Sequence, residues 1–198
     1  MLSPYSPFYC AHCIQCRLPE SDCICAQINQ VSLPFNIMIC SHPKEWQRND
    51  NTAQWGLISS PNIERVKWQR KSERIKTLIP LKSIAEQKGH YLLFPSEDAQ
   101  DINLITDDIQ QLWVIDGTWQ ETQKMLRQSP WLKNMTKVKI QAPLGQSLTS
   151  EFQLRRNQQG LATLEAICYA VAIQDPSAAQ ELTSNFHLCQ NALLKLLK

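Results

Sequence analysis

No stretch of this 198-residue sequence approaches the ~18–20 consecutive apolar residues that span a bilayer. Met1 to Cys10 carries no basic region followed by an apolar run, so no secretory leader is expected. Strong charge of one sign is missing as well. Twenty Lys and Arg oppose 18 Asp and Glu, for a formal net charge of +2, so any nucleic-acid binding has to come from a local patch. There is no internal repeat and no low-complexity segment. What is present is ordinary globular composition: 43% hydrophobic residues with six Trp, which argues against disorder. The length fits one domain with a small appendage, and such a chain buries roughly 70% of the surface its unfolded form exposes. A soluble, cytoplasmic globular protein is expected.

Eight cysteines are unevenly placed. Cys10, Cys13, Cys16, Cys23 and Cys25 crowd the start around His12, while Cys40, Cys168 and Cys189 are scattered through apolar surroundings. Without a secretory signal, clustering reads as metal binding rather than a disulfide framework. Cys13, Cys16, Cys23 and Cys25 supply the four thiolates of a closed tetrahedral zinc site, with Cys10 or His12 as possible replacements. A site with all four positions filled does no chemistry. It folds residues 8–28, whose apolar content is too low to fold alone, within a cysteine-rich zinc-binding segment of residues 1–28. Residues 29–198 then form the main domain.

Past Cys25, strand and helix patterns alternate. Phe35–Cys40 is a short apolar run ending at Ser41-His42-Pro43, and His90–Phe94 is a second, closed by Pro95-Ser96. Leu112–Asp116 is a third and leads directly into a helical stretch reaching Arg127, while Lys137–Ile140 alternates as a fourth. Residues 45–60 are partly helical, residues 161–174 form an Ala-rich buried helix, and Leu182–Lys198 is a closing amphipathic helix. This order implies an α/β architecture with a mostly parallel sheet.

Ligands of open α/β sheets bind at the carboxyl ends of strands, which directs attention to three strand ends. In Asp116-Gly117-Thr118-Trp119, Thr118 with Glu121 matches a capping box and Gly117 permits a sharp turn. Asp116 is expected exposed at the strand tip beside a helix N-terminus, with Trp119 offering a flat face to a base. The plainer alternatives are that Asp116 serves turn amides and Trp119 the core. At the second end, Ser96 is an N-cap candidate with Glu97 and Asp98 suiting the helix dipole. At the third, His42 and Glu45 follow a strand, and such a lone histidine reads as a structural hydrogen-bonder. Arg65, Lys67, Arg70, Lys71, Arg74 and Lys76 form a basic run with Trp68 interleaved and only Glu73 opposing. It is either a solvated face or a phosphate-binding patch, with Arg155-Arg156 as a smaller second one.

Five ordered blocks together resemble the DTW-domain family, named for an Asp-x-Thr-Trp motif. They are the cysteine-rich start with Arg17-Leu18-Pro19, His42-Pro43-Lys44-Glu45, Phe94–Ala99, Asp116-Gly117-Thr118-Trp119, and Leu154-Arg155-Arg156 before Ala162-Thr163-Leu164-Glu165-Ala166. The family's usual Ser is Ala162 here, so a hydroxyl contact at that position is lost. The resemblance implies a tRNA-uridine aminocarboxypropyltransferase. Such an enzyme moves the 3-amino-3-carboxypropyl group of S-adenosylmethionine onto uridine N3 and releases methylthioadenosine. It also implies a SPOUT-like fold with a trefoil knot near the C-terminal part. The roles it implies are Asp116 as base, with Thr118 and Trp119 beside the reaction. Phe94, Pro95, Ser96, Asp116, Gly117, Thr118, Thr163 and Glu165 would hold S-adenosylmethionine, and Arg65, Lys67, Arg70, Lys71, Arg74 and Arg155 the tRNA. The competing readings are the same transfer onto ribosomal RNA, a non-catalytic zinc-dependent RNA-binding module, and a methyltransferase. Monomer and homodimer are both compatible with the family.

Overall fold

The computed structural model describes residues 11–69, 87–105, 109–141 and 160–197. Six parallel strands form one sheet: β1 (Asn36–Ser41), β2 (Ile63–Lys67), β3 (His90–Leu93), β4 (Gln100–Asp101), β5 (Gln111–Asp116) and β6 (Thr136–Lys139). Their spatial order is β2-β1-β5-β3-β6-β4, so the expected mostly parallel α/β sheet is present. Among the described residues the α-helices are α1 (Thr52–Ser59), α2 (Trp119–Gln128), α3 (Pro130–Asn134), α4 (Thr163–Ala172) and α5 (Pro176–Lys195). None is long and apolar enough to cross a membrane among the described residues.

Successive side chains of a strand point to opposite faces, and β5 shows the result. Leu112 and Val114 enter one apolar cluster with Ile37 and Ile39 of β1, Trp55 of α1, Leu164 of α4 and Phe186 of α5. Trp113 and Ile115 enter the other, with Met125 of α2 and Trp131 and Leu132 of α3. Both faces of the sheet are therefore covered, which is why its central strands read as continuous apolar runs.

Four differences from the sequence reading have local causes. The basic run contains β2: Ile63, Arg65 and Val66 turn inward while Glu64 and Lys67 face out. No helix follows Ser96, whose carbonyl instead accepts from the Ala99 amide at 3.1 Å and closes a turn into β4. The last helix begins at Pro176 rather than Leu182, because Asp175 caps it by accepting from the Ala178 amide and proline suits the first turn. Pro130 likewise starts α3 just after α2. The expected knot depends on the path of residues 142–159, which lie outside those described.

The cysteine segment is held on this domain rather than apart from it. Cys16, Leu18, Ile24 and Ile28 belong to the same apolar cluster as α1, α4 and α5. Arg17, in the left-handed region at φ 63°, donates from Nη1 to the carbonyls of Trp46 and Arg48 at 2.7 and 2.9 Å. Gln54 Nε2 donates to the Gln15 carbonyl at 2.7 Å.

Candidate functional site

The carboxyl ends of β2, β1 and β5 lie side by side, and Asp116 is where they converge. Ser41 is its register partner on β1, and the His42 amide donates to the Asp116 carbonyl at 2.8 Å. The Asp116 side chain is not exposed as expected; the residue is 1% accessible. Its Oδ2 accepts from Ser41 Oγ at 2.7 Å and Arg65 Nη2 at 3.0 Å, its Oδ1 accepts from Thr163 Oγ1 at 2.8 Å, and Asn51 Nδ2 donates to both at 3.3 and 3.2 Å. An ionised carboxylate offers about four lone-pair sites, so these donors occupy the acceptor capacity of Asp116. It draws together β1, the loop before α1, β2 and the start of α4.

Arg65 is likewise interior, 7% exposed, and so is not part of an RNA-facing surface. A charge this deep requires a partner, and Asp116 supplies it. Its Nε also donates to Ser41 Oγ at 2.6 Å, and its guanidinium lies 4.7 Å over the Trp46 ring. Trp68 is buried as well, donating to Ser129 Oγ at 2.8 Å. Lys67 does face solvent at the end of β2, while Arg70, Lys71, Arg74, Lys76, Arg155 and Arg156 lie outside the described residues.

Around this centre the loop from His42 to Asn51 is tightly fastened. Asn51 caps α1 by accepting from the Ala53 amide, and also donates to the buried Glu45 at 2.8 Å. Glu45 in turn faces Arg48 at 3.5 Å. Ser41 and Glu45 belong to the strand end noted in the sequence, whereas Trp46 and Asn51 are site-building residues that no local motif singles out.

The Asp116–Trp119 turn carries the exposed part. Gly117 does not adopt a positive φ; it is needed for space. A Cβ there would lie 3.2 Å from Glu121 Cβ and 3.5 Å from His42 Cβ. The expected capping box is present: the Thr118 amide and hydroxyl donate to Glu121 Oε2 at 3.0 Å each, and the Glu121 amide donates to Thr118 Oγ1 at 3.4 Å. The second carboxylate oxygen, Glu121 Oε1, lies 3.3 Å from His42 Nδ1 and 3.8 Å from Lys44 Nζ. Burial works to raise the Glu121 carboxyl, but the Thr118 donors together with His42 and Lys44 outweigh it and hold the group below its ordinary value. Trp119 is 60% exposed and stacks on the buried ring of Phe94, 5.6 Å between centroids and 4° from parallel. Phe94 therefore backs the indole, whose other face is available. Pro95 is exposed beside it.

At α4, Glu165 accepts from the Ala162 amide at 2.6 Å, the half of a capping box that survives without a Ser hydroxyl. Thr163, one step on, reaches Asp116. Glu165 therefore holds the helix start rather than facing an open pocket, being 7% exposed.

The four expected cysteine ligands lie together, all sulfurs within 4.8 Å of one another. Cys13 and Cys25 are 3.7 Å apart, and Cys16 and Cys23 3.8 Å. Tetrahedral zinc with Zn–S near 2.3 Å places sulfurs about 3.8 Å apart, so the residues fit that ion. The Cys16 and Gln15 amides bring the Cys13 thiol down to about 6, whereas burial pushes Cys16 and Cys25 up.

The DTW domain family matches residues 10–194 of this sequence. The chain belongs to the DTW-domain family. A curated relative, tRNA-uridine aminocarboxypropyltransferase 2 of Drosophila melanogaster, is 28% identical over 193 residues, covering 91% of this chain and 74% of the relative. No solved structure matches. In this DTW domain the motif that names the family is thus the turn joining a buried charge centre to an exposed aromatic face.

Proposed function

We propose that this DTW-domain protein transfers the 3-amino-3-carboxypropyl group of S-adenosylmethionine to N3 of a uridine in tRNA, releasing methylthioadenosine. The observation that carries this reading is the near-whole-chain similarity to an enzyme of that name. The strand-end geometry supports it. Breaking the carbon–sulfur bond neutralises the sulfonium, so the leaving group needs no acid, and holding two reactants in line dominates the rate. A strand-end floor braced by Asp116, Arg65, Ser41, Asn51 and Thr163 is suited to positioning.

In this reading Trp119, backed by Phe94, stacks on adenine or uracil, and Thr118 with the Phe94-Pro95-Ser96 turn borders the S-adenosylmethionine site. Thr163 and Glu165 support it from α4. Lys67 with Arg70, Lys71, Arg74 and Arg155 forms the phosphate-binding face for tRNA. The SPOUT-like topology and the knot belong to the same proposal, as does a cytoplasmic place of work beside the tRNA pool. Zinc held by Cys13, Cys16, Cys23 and Cys25 supplies a rigid link and no reaction step.

The test uses unmodified tRNA and S-adenosylmethionine labelled in parallel in the methionine carboxylate or in the methyl group. Carboxylate label alone is expected in tRNA. Methyl label alone overturns the assignment in favour of methylation, and carboxylate label entering ribosomal RNA but not tRNA changes the substrate.

Trp119→Ala isolates the stacking contribution. Stacking of a base on an aromatic is worth ~1–3 kcal/mol, so roughly 5- to 150-fold weaker substrate affinity is expected. An indole this exposed contributes little to stability, so the melting temperature should hold. KM measurements against tRNA and S-adenosylmethionine show which partner it serves.

A further inference from the structure

Five polar contacts occupy Asp116, which leaves open what receives the proton that uridine N3 must lose. We infer that His42 takes it, oriented by Glu121; this rests on the transfer proposed above. His42 follows directly on β1, and its Cβ is 3.5 Å from where a Cβ would lie on Gly117, itself two residues before the exposed Trp119. Its ring is stacked on Trp68, 5.8 Å between centroids and 25° from parallel, which fixes its plane. Nδ1 accepts from the Lys44 amide at 3.4 Å and also faces the Glu121 Oε1 charge at 3.3 Å, two neighbours that demand opposite tautomers. The carboxylate decides between them. Glu121 is held ionised by the Thr118 donors, and an anion beside an unprotonated Nδ1 would be repelled by its lone pair. Nδ1 therefore carries the hydrogen, and the basic lone pair resides on Nε2, which makes no hydrogen bond among the described residues.

The 3.3 Å contact is a charge contact rather than an aligned hydrogen bond, and such pairs often align only when substrate binds. The groups facing the imidazole are Glu121 from α2, the Trp68 ring from the segment after β2, the Asp116 backbone from β5, and Lys44 from its own loop. The Asp116–Arg65 ion pair lies one residue back, at Ser41. The step balances as follows. Nε2 accepts the N3 proton, the N3 electron pair forms a bond to the methylene carbon beside sulfur, and the carbon–sulfur pair returns to sulfur. The products are modified uridine, neutral methylthioadenosine and an imidazolium facing Glu121, which later releases its proton to water.

Two measurements on the full-length, metal-loaded protein test this. Glu121→Gln keeps the capping box, because glutamine also accepts from the N-cap amide, so the fold is retained. The first measurement is a nitrogen-15 titration of the imidazoles. The expected result is a neutral His42 with hydrogen on Nδ1, its Nδ1 signal displaced in Glu121→Gln because the carboxylate facing it is gone. A neutral His42 with hydrogen on Nε2, or one indifferent to Glu121→Gln, overturns the inference whether or not the protein modifies RNA. The second is single-turnover transfer against pH. In the wild type the rate should rise with pH through the His42 titration. His42→Asn should lose that limb and about 10²–10⁴-fold in rate at unchanged S-adenosylmethionine affinity. Glu121→Gln should slow the plateau. His42→Asn within a few-fold of wild type with its pH limb intact overturns the inference while leaving the transfer standing. Wild type that labels no RNA sinks the transfer itself, and the titration then decides whether the His42–Glu121 pair exists.

Discussion

Asp116→Ala is expected to abolish transfer and to destabilise the protein at the same time. The side chains of Arg65 and Asp116 are 1% and 2% accessible, so deletion of the carboxylate strands a buried guanidinium. Breaking a buried ion pair from one side costs about 3–5 kcal/mol, or on the order of 10 °C in melting temperature for a chain of this length. Ser41, Asn51 and Thr163 lose their shared acceptor together, and a displacement of the strand ends by even ~1 Å can slow a positioned reaction about 10²-fold. Asp116→Asn should fail too, since its amide turns a donor toward the Arg65 guanidinium or, flipped, toward the Asn51 amide. Thermal denaturation beside the labelled-transfer assay checks both. An unchanged melting temperature in Asp116→Ala would show that this network contributes nothing to the fold, and full activity would remove Asp116 from the site.

The second large effect is expected from the metal. One zinc per chain should be found, and a strong chelator or Cys16→Ser should unfold residues 11–28. Cys16 and Leu18 are 0% and 1% exposed, so the loss reaches the main core. Metal binding and folding are one equilibrium in such segments, worth ~10–16 kcal/mol in zinc-finger peptides. Release of Arg17 from the Trp46 and Arg48 carbonyls should then loosen the loop bearing His42, Glu45 and Asn51. Hydrogen exchange is the discriminating measurement: faster exchange at 11–28 and also at 45–51 on metal removal is expected. Unchanged exchange throughout would show that the cysteines fold the segment without an ion. Because thiolates are the ligands, occupancy should fall with acid.

The sequence shows most of this architecture wherever local signals agree. The apolar runs of β1, β3 and β5 each end at Pro or at the capping box, and Thr118 with Glu121 fixes the start of α2. β2 is harder to see because its inward Arg65 makes a strand resemble a charge run; the useful signal was Ile63 and Val66 flanking it between outward Glu64 and Lys67. The two-residue β4 has too little pattern to read. At the site, the motif was legible but its electrostatics were not. Whether Asp116 is an exposed base or a buried anchor depends on donors at positions 41, 51, 65 and 163, which local periodicity cannot bring together.

That remoteness has a consequence for how the protein comes into being. β1 sits between β2 and β5, and the Ser41–Asp116 hydrogen bond closes a separation of 75 positions. At ~5–20 residues per second of synthesis, β1 leaves the ribosome roughly 4–15 s before its central neighbour. Thr163 arrives later still, 47 positions after Asp116. A nascent chain therefore pairs β1 with β2 first and carries the other edge of this apolar strand open for seconds, a stage at which chaperones act, and has no strand-end site until nearly all of it has been made. Truncated products that escape the ribosome before α4 lack the Thr163 contact that closes the site.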